Sequence, residues 1–137
     1  LKEDGTWVGP ENPPPYKTWQ EAGARMVLSE KPFRVAPGCW TTGFIPRTGT
    51  QEGKPSRLYY RSGDDLLEDK MEDDQALVMH VKSKGLVVLT GCAHAGILNT
   101  LHYAREISGV DQIYAVLGGF HLSPAKPEEV AQTVDTI

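Results

Sequence analysis

Only two cysteines, Cys39 and Cys92, occur in 137 residues. That is too few for a disulfide scaffold, and no Cys-x-x-Cys pair exists. Long apolar runs are missing too. The two longest, around residues 86–89 and 113–117, fall far short of the roughly 20 residues that span a bilayer. Nothing near Leu1, Lys2, Glu3 and Asp4 has the pattern of a signal peptide. A net charge of −4 supplies no basic face of the kind nucleic acid requires. Residues 91–96 are not followed by Gly-Lys-Ser/Thr, so they are not a Walker loop. No Gly-x-Ser-x-Gly elbow is present for a serine hydrolase. These absences point to a reducing, cytoplasmic setting, with neither membrane nor nucleic acid as partner.

What is present suits a folded globular chain. Hydrophobic residues make up 39% and charged residues 23%, a balance that can bury a core. The length matches one ordinary domain. A first residue other than Met hints that this chain is not the whole translation product. Charge is unevenly spread. Lys31, Arg34, Arg47, Lys54, Arg57 and Arg61 face only Glu52 in their stretch, whereas Asp64, Asp65, Glu68, Asp69, Glu72, Asp73 and Asp74 face only Lys70. This is either a solvated loop of mixed sign or a basic strip beside an anionic substrate.

Along the chain, Gly5, Gly9, Pro10 and Pro13-Pro14-Pro15 mark residues 1–30 as an extended segment or linker, with Tyr16 and Trp19 as anchors. Residues 33–45 read as a strand ended by Pro46. Residues 48–74 read as a long charged loop, with Leu58-Tyr59-Tyr60 as a short strand at most. The order is clearer beyond. Residues 75–81 alternate as a strand and 86–90 form a buried one, followed by a tight connection. Ile97, Leu98, Leu101, Ala104 and Ile107 then recur with helical spacing, and Ser108-Gly109 closes that helix. Residues 112–117 form another strand. Ser123 with Pro124, or Pro127 with Glu128-Glu129, opens a last helix whose Val130, Val134 and Ile137 share a face. Residues 86–137 are thus a strand–helix–strand–helix unit of α/β class.

Ligand sites in such units form beyond the carboxyl ends of the strands. His94 lies four residues after Thr90, and His121 lies behind Gly118-Gly119 at the end of the next strand. Each is a candidate functional imidazole, against the alternative of a satisfied polar residue. Cys92 offers a thiolate for a soft metal or simply packs as a small residue. Asp73 and Asp74 precede a strand and either orient a ligand from behind or form a turn. His80, inside a strand, and His102, mid-helix, read as structural. Two histidines alone do not complete a zinc site.

Three stretches carry a resemblance: Glu72-Asp73-Asp74-Gln75-Ala76-Leu77-Val78, then Gly85 through Asn99 with its Thr-Gly-Cys-x-His-Ala-Gly string, then Gly118-Gly119-Phe120-His121-Leu122. Together with Thr42-Gly43-Phe44-Ile45-Pro46-Arg47, they resemble one lineage of the metallo-β-lactamase fold. This lineage is similar to the dihydropterin ribofuranosylaminobenzene phosphate synthase-like metallo-hydrolases. The match runs from about residue 33 to 137.

The resemblance implies an αββα sandwich in which this chain is roughly the C-terminal half, a mixed sheet with flanking helices. It implies zinc or another divalent metal, two ions in the complete enzyme, with a metal-bound hydroxide attacking a small anionic phosphate, ester or pterin-like substrate. His94 carries over as a metal ligand and His121 as an active-site histidine. Cys92 stands near where relatives place a bridging aspartate, and Arg47 is available as an anion contact. Two ligand groups of the fold are absent: a His-x-His-x-Asp-His cluster and a later histidine near Cys-Thr-Gly. The expected domain plan is therefore 1–30 as a linker and 31–137 as half of a metallo-β-lactamase-like domain. A second chain or a cleaved segment would supply the other half, the isolated chain would be inactive, and its uncovered sheet face would drive association, including homo-oligomers. The alternative is a non-catalytic α/β module that binds a partner or a phosphorylated ligand.

Overall fold

A computed structural model describes residues 1–8, 15–48, 57–123 and 125–137. In chain order the elements are α1 (Tyr16–Glu21), β1 (Phe33–Ala36), β2 (Cys39–Thr41), β3 (Tyr59–Ser62) and β4 (Asp65–Glu68). Then come β5 (Ala76–Val81), β6 (Gly85–Thr90), α2 (Ile97–Ser108), β7 (Ile113–Leu117) and α3 (Pro127–Thr136). The chain divides into two compact units, Leu1–Ser29 with Ser56–Lys70, and Glu30–Pro55 with Met71–Ile137.

In the first unit, the N-terminal ammonium of Leu1 donates to the Tyr59 carbonyl at 2.6 Å, and the Tyr59 N–H donates back to Leu1 at 2.7 Å. Residues 1–30 are not wholly extended, because α1 forms directly after Pro15, with the Tyr16 and Trp19 rings edge-to-face at 5.6 Å. Nor is 48–74 a simple loop. β3 and β4 pair antiparallel, Ser62 opposite Asp65, around a two-residue turn with Gly63 at φ +61°. Glycine first in such a turn is what a tight hairpin needs, and it outweighs the acidic composition. Gly9, Pro10, Pro13, Pro14, Glu52, Lys54 and Pro124 lie outside the described residues.

The second unit is built on a five-stranded sheet in the order β1-β2-β5-β6-β7. All its pairs are antiparallel except β6 with β7. It is a mixed sheet with α2 packed against β5 and β6. The strand expected over 33–45 is in fact a hairpin, since Pro37-Gly38, with Gly38 at φ +73°, turns the chain between Ala36 and Cys39. Parallel pairing of β6 and β7 requires a crossover, which α2 supplies. The buried stripe of α2, Ile97, Thr100, Leu101 and Ala104, follows the helical period and lies against β5 and β6. Gly109, at φ +68°, ends the helix and donates its N–H to Arg105 at 2.9 Å.

Strand register fixes which side chains meet α2. Val78 lies opposite Val88 and His80 opposite Leu86, and Val78, Val88, Leu86 and Leu101 are all essentially inaccessible. Each such aliphatic side chain contributes about 1.5–3 kcal/mol by burial. The other face pairs Leu77 with Leu89 and Met79 with Val87. It is equally apolar, yet Leu89 and Leu117 are 37% and 50% exposed. In α3 the expected apolar stripe is split: Val130 is half-buried and Thr133 is the buried residue, whereas Val134 and Ile137 are 63% and 40% exposed. Its N-terminus is held by Glu129, whose carboxylate accepts the Lys126 N–H at 2.8 Å, with Pro127 as the first helical residue.

Candidate metal centre

The loops leaving β6 and β7 are drawn together by backbone contacts alongside one hydroxyl. Thr90 donates its hydroxyl to the Gly119 carbonyl at 2.9 Å, with a longer contact to Leu117, and the Gly119 N–H donates to Gly91 at 2.8 Å. Two parallel strands are thereby stitched past their ends. Glycine is required there: Gly118 has φ +127°, and a side chain on it would run into the Thr90 carbonyl. A Cβ on Gly119 would come within 2.7 Å of the Gly91 oxygen.

This seam carries three donors to one place. The ligand atoms of Cys92, His94 and His121 all lie within 4.8 Å of one another. The two imidazole rings meet edge-to-face, centroids 4.7 Å apart and planes 79° apart. Cys92 is exposed and both histidines are half-buried. Two of the supporting backbones are unusual, with Ala93 at φ +56° and His121 at φ +47°. Non-glycine residues take this region at a cost of order 1–3 kcal/mol, and such outliers cluster at functional sites.

The donor set suits a divalent transition metal. Donors sharing one tetrahedral zinc stand about 3.5 Å apart, from bond lengths of roughly 2.3 Å to sulfur and 2.1 Å to nitrogen. With ligand atoms within 4.8 Å of one another, side-chain rotations that close the group by about 1 Å bring it into that range. One thiolate and two imidazoles select zinc, copper, iron or nickel over magnesium or calcium, which prefer oxygen.

The other expected site residues divide. Asp74 is half-buried, and its Oδ2 accepts the Ala95 N–H at 2.9 Å. Arg47 donates from Nη2 to the His94 carbonyl at 3.5 Å. Asp73 is exposed and is not one of the three grouped donors. His80 and His102 are exposed. Sequence reasoning missed the Thr90 seam. Its signal was present in the pairing of Thr90-Gly91 with Gly118-Gly119, two small-residue breaks at the ends of adjacent apolar runs.

The fold of this chain has a counterpart among solved structures. Over 82% of this chain it matches the crystal structure of a metal-dependent hydrolase of the β-lactamase superfamily, with TM-score 0.68 and 29% identity. This is the metallo-β-lactamase fold. The part of that fold represented here corresponds to 42% of the hydrolase. The chain is also 36% identical over 121 residues to the 7,8-dihydropterin-6-methyl-4-(beta-D-ribofuranosyl)-aminobenzene-5'-phosphate synthase of Methanocaldococcus jannaschii. A second protein of that organism, itself uncharacterized, is 30% identical over 112 residues. These alignments take in 86% and 82% of this chain. The chain spans only 41% and 40% of the length of those two curated relatives. No protein-family model matches the sequence. Among the described residues, no helix is long and apolar enough to cross a membrane.

Proposed function

We propose that this chain supplies one wall of the metal site of a metallo-β-lactamase-type hydrolase acting on a small anionic substrate. The observation that carries this reading is the convergence of Cys92, His94 and His121 from two loops at the carboxyl end of a mixed sheet. His94 and Cys92 would hold a divalent metal. His121 would serve either as a further ligand or as the group that stabilises charge on the reacting substrate. A metal held there supplies a Lewis acid and lowers the pKa of water to near neutrality. The seam at Thr90 holds together the two loops that carry these side chains without the metal, so less ordering remains when it binds. Support for an anionic substrate comes from the phosphate in the synthase's name. The remaining ligands would come from the portion of the fold that this chain does not span, in the same cytoplasmic assembly.

Metal analysis of the natively purified assembly tests the reading, alongside hydrolysis of an activated phosphodiester. One or more zinc equivalents in the parent, lost with activity in His94→Ala, is the expected result. Parent protein without metal or activity overturns it in favour of a non-catalytic binding module, and a His94→Ala variant that keeps both overturns the assignment of His94 as a ligand. His121→Ala separates its two roles: lost metal marks a ligand, and retained metal with lost turnover marks a stabilising group.

A further inference from the structure

The loop that carries Cys92 and His94 is held mostly by its own neighbours. Gly96 donates its N–H to Ala93 at 3.0 Å, Asn99 donates its side-chain amide to Ala95 at 2.8 Å, and Thr100 donates its hydroxyl to Gly96 at 2.9 Å. These bonds form as α2 forms and fix the loop to the helix. They do not fix it to the sheet, nor set the direction in which His94 enters the site.

Beyond the Gly119–Gly91 bond at its base, two bonds from outside the loop do so, and both fall on a single peptide group. The carbonyl of His94 accepts from Arg47, 47 positions earlier, and the N–H of the same His94–Ala95 peptide donates to Asp74, 21 positions earlier. A cation sits at the oxygen end of this peptide and an anion at its hydrogen end. Both charges are aligned with the peptide dipole; the Asp74 bond at 2.9 Å is of the charge-assisted type, roughly twice as strong as a neutral one, and the Arg47 contact at 3.5 Å is the weaker of the two. Arg47 follows β2, and Asp74 enters β5, whose Ala76 pairs with Thr90 at the end of β6. The clamp therefore ties the loop to the sheet beside the strand end from which it departs. Rotation of the His94–Ala95 peptide is rotation about the bond next to the His94 Cα, so holding that plane limits where the imidazole points. The preceding Ala93 is in a disfavoured backbone region, so the loop would relax if released.

We infer that Asp74, assisted by Arg47, is a positioning residue that holds His94 in register with His121 and Cys92. This rests on the metal-site reading above only for its consequence in metal affinity. The positioning itself has a readout in the metal-free protein.

The test uses the protein with Asp74→Ala, Asp74→Asn, Arg47→Met and His94→Ala. Cobalt(II) affinity is measured by competition with a chromophoric chelator, together with the cobalt absorption spectrum. Proton–nitrogen NMR of the metal-free protein follows the His94 ring signals. Asp74→Ala should shift the His94 signals, weaken cobalt binding about 10- to 100-fold and alter the cobalt spectrum, while far-UV circular dichroism stays unchanged. Asp74→Asn keeps an acceptor oxygen and should restore most of the affinity and the parent signals. Arg47→Met should give a smaller change in the same direction. Unmoved His94 signals in Asp74→Ala, with cobalt affinity within twofold of the parent, overturn the positioning role. If Asp74→Ala does not fold, Asp74→Asn decides: a variant as impaired as His94→Ala overturns the acceptor argument. Unchanged cobalt binding in His94→Ala instead overturns the metal reading, and the metal-free signals still judge the clamp.

Discussion

Replacing Gly118 with alanine tests the seam on which the site depends. Two penalties add at this position. The first is the backbone: at φ +127° Gly118 occupies a region nearly reserved for glycine, and holding a side chain there costs about 1–3 kcal/mol. The second is contact. The new Cβ would meet the Thr90 carbonyl oxygen and lie 2.5 Å from the Thr90 Oγ1. The carbonyl belongs to the end of a paired strand and cannot swing aside, so overpacking adds about 1–3 kcal/mol. The sum is about 2–6 kcal/mol, at the upper end of what single substitutions do. Gly119→Ala has no positive φ and a single close backbone oxygen at 2.7 Å, so only the overpacking penalty of about 1–3 kcal/mol applies. Gly91→Ala has nothing within 4 Å and should lie within about 0.5 kcal/mol of the parent. Urea unfolding followed by circular dichroism measures all three. The expected order of destabilisation is Gly118, Gly119, Gly91. A Gly118→Ala protein as stable as Gly91→Ala would refute the close approach of β6 and β7 on which the His121 position rests.

Further outcomes follow from other contacts. Leu101→Ala removes a side chain that is 1% exposed and should cost about 2–5 kcal/mol in the same assay. Thr42→Val removes the hydroxyl oxygen that accepts the buried Ala76 N–H at 3.0 Å. Leaving that group unpaired should cost about 1–3 kcal/mol, whereas Thr42→Ser should recover most of the loss. Cys92→Ser should abolish thiolate-to-cobalt charge-transfer absorption if Cys92 is a ligand, and an unchanged spectrum would remove it from the set. Leu117→Lys places a charge on the open apolar sheet face and should lower self-association in sedimentation velocity. An unaltered distribution would show that this face does not mediate contact between copies.

The second half of the chain was readable because its signals are local and agree with one another. Apolar runs at β6 and β7, the helical spacing of Ile97, Leu101 and Ala104, and Gly109 at the helix end all point the same way. That pattern placed His94 and His121 past strand ends, where the structure has them. What could not be read was anything fixed by long-range pairing. That β6 and β7 lie side by side, and so bring His121 to Cys92, is a matter of sheet order. The Asp74–Ala95 bond depends on how β5 enters beside β6. The β3–β4 hairpin was obscured by its acidic composition, although Gly63 was the cue. In α3 the apolar residues Val130, Val134 and Ile137 recur as read, but the residue that is buried is Thr133, which an apolar pattern does not mark.

The faces of the central sheet bear on the proposal that further ligands complete the site. A sheet that meets water on one side alternates apolar and polar residues along its strands. β5 and β6 do not alternate. Ala76, Val78, Leu86 and Val88 are buried on the α2 side, while Leu77, Met79, Val87 and Leu89 stand on the other. Both sides are written for burial, yet Leu89 and Leu117 remain substantially exposed. If the three donors at this rim are one wall of the metal site, as proposed above, a segment packed on the second face would border the same rim and could bring the opposing ligands. This agrees with the chain's correspondence to 42% of a metal-dependent hydrolase. On this argument covering the face and completing the metal site are one event, so a partner segment that raises stability should raise metal affinity with it.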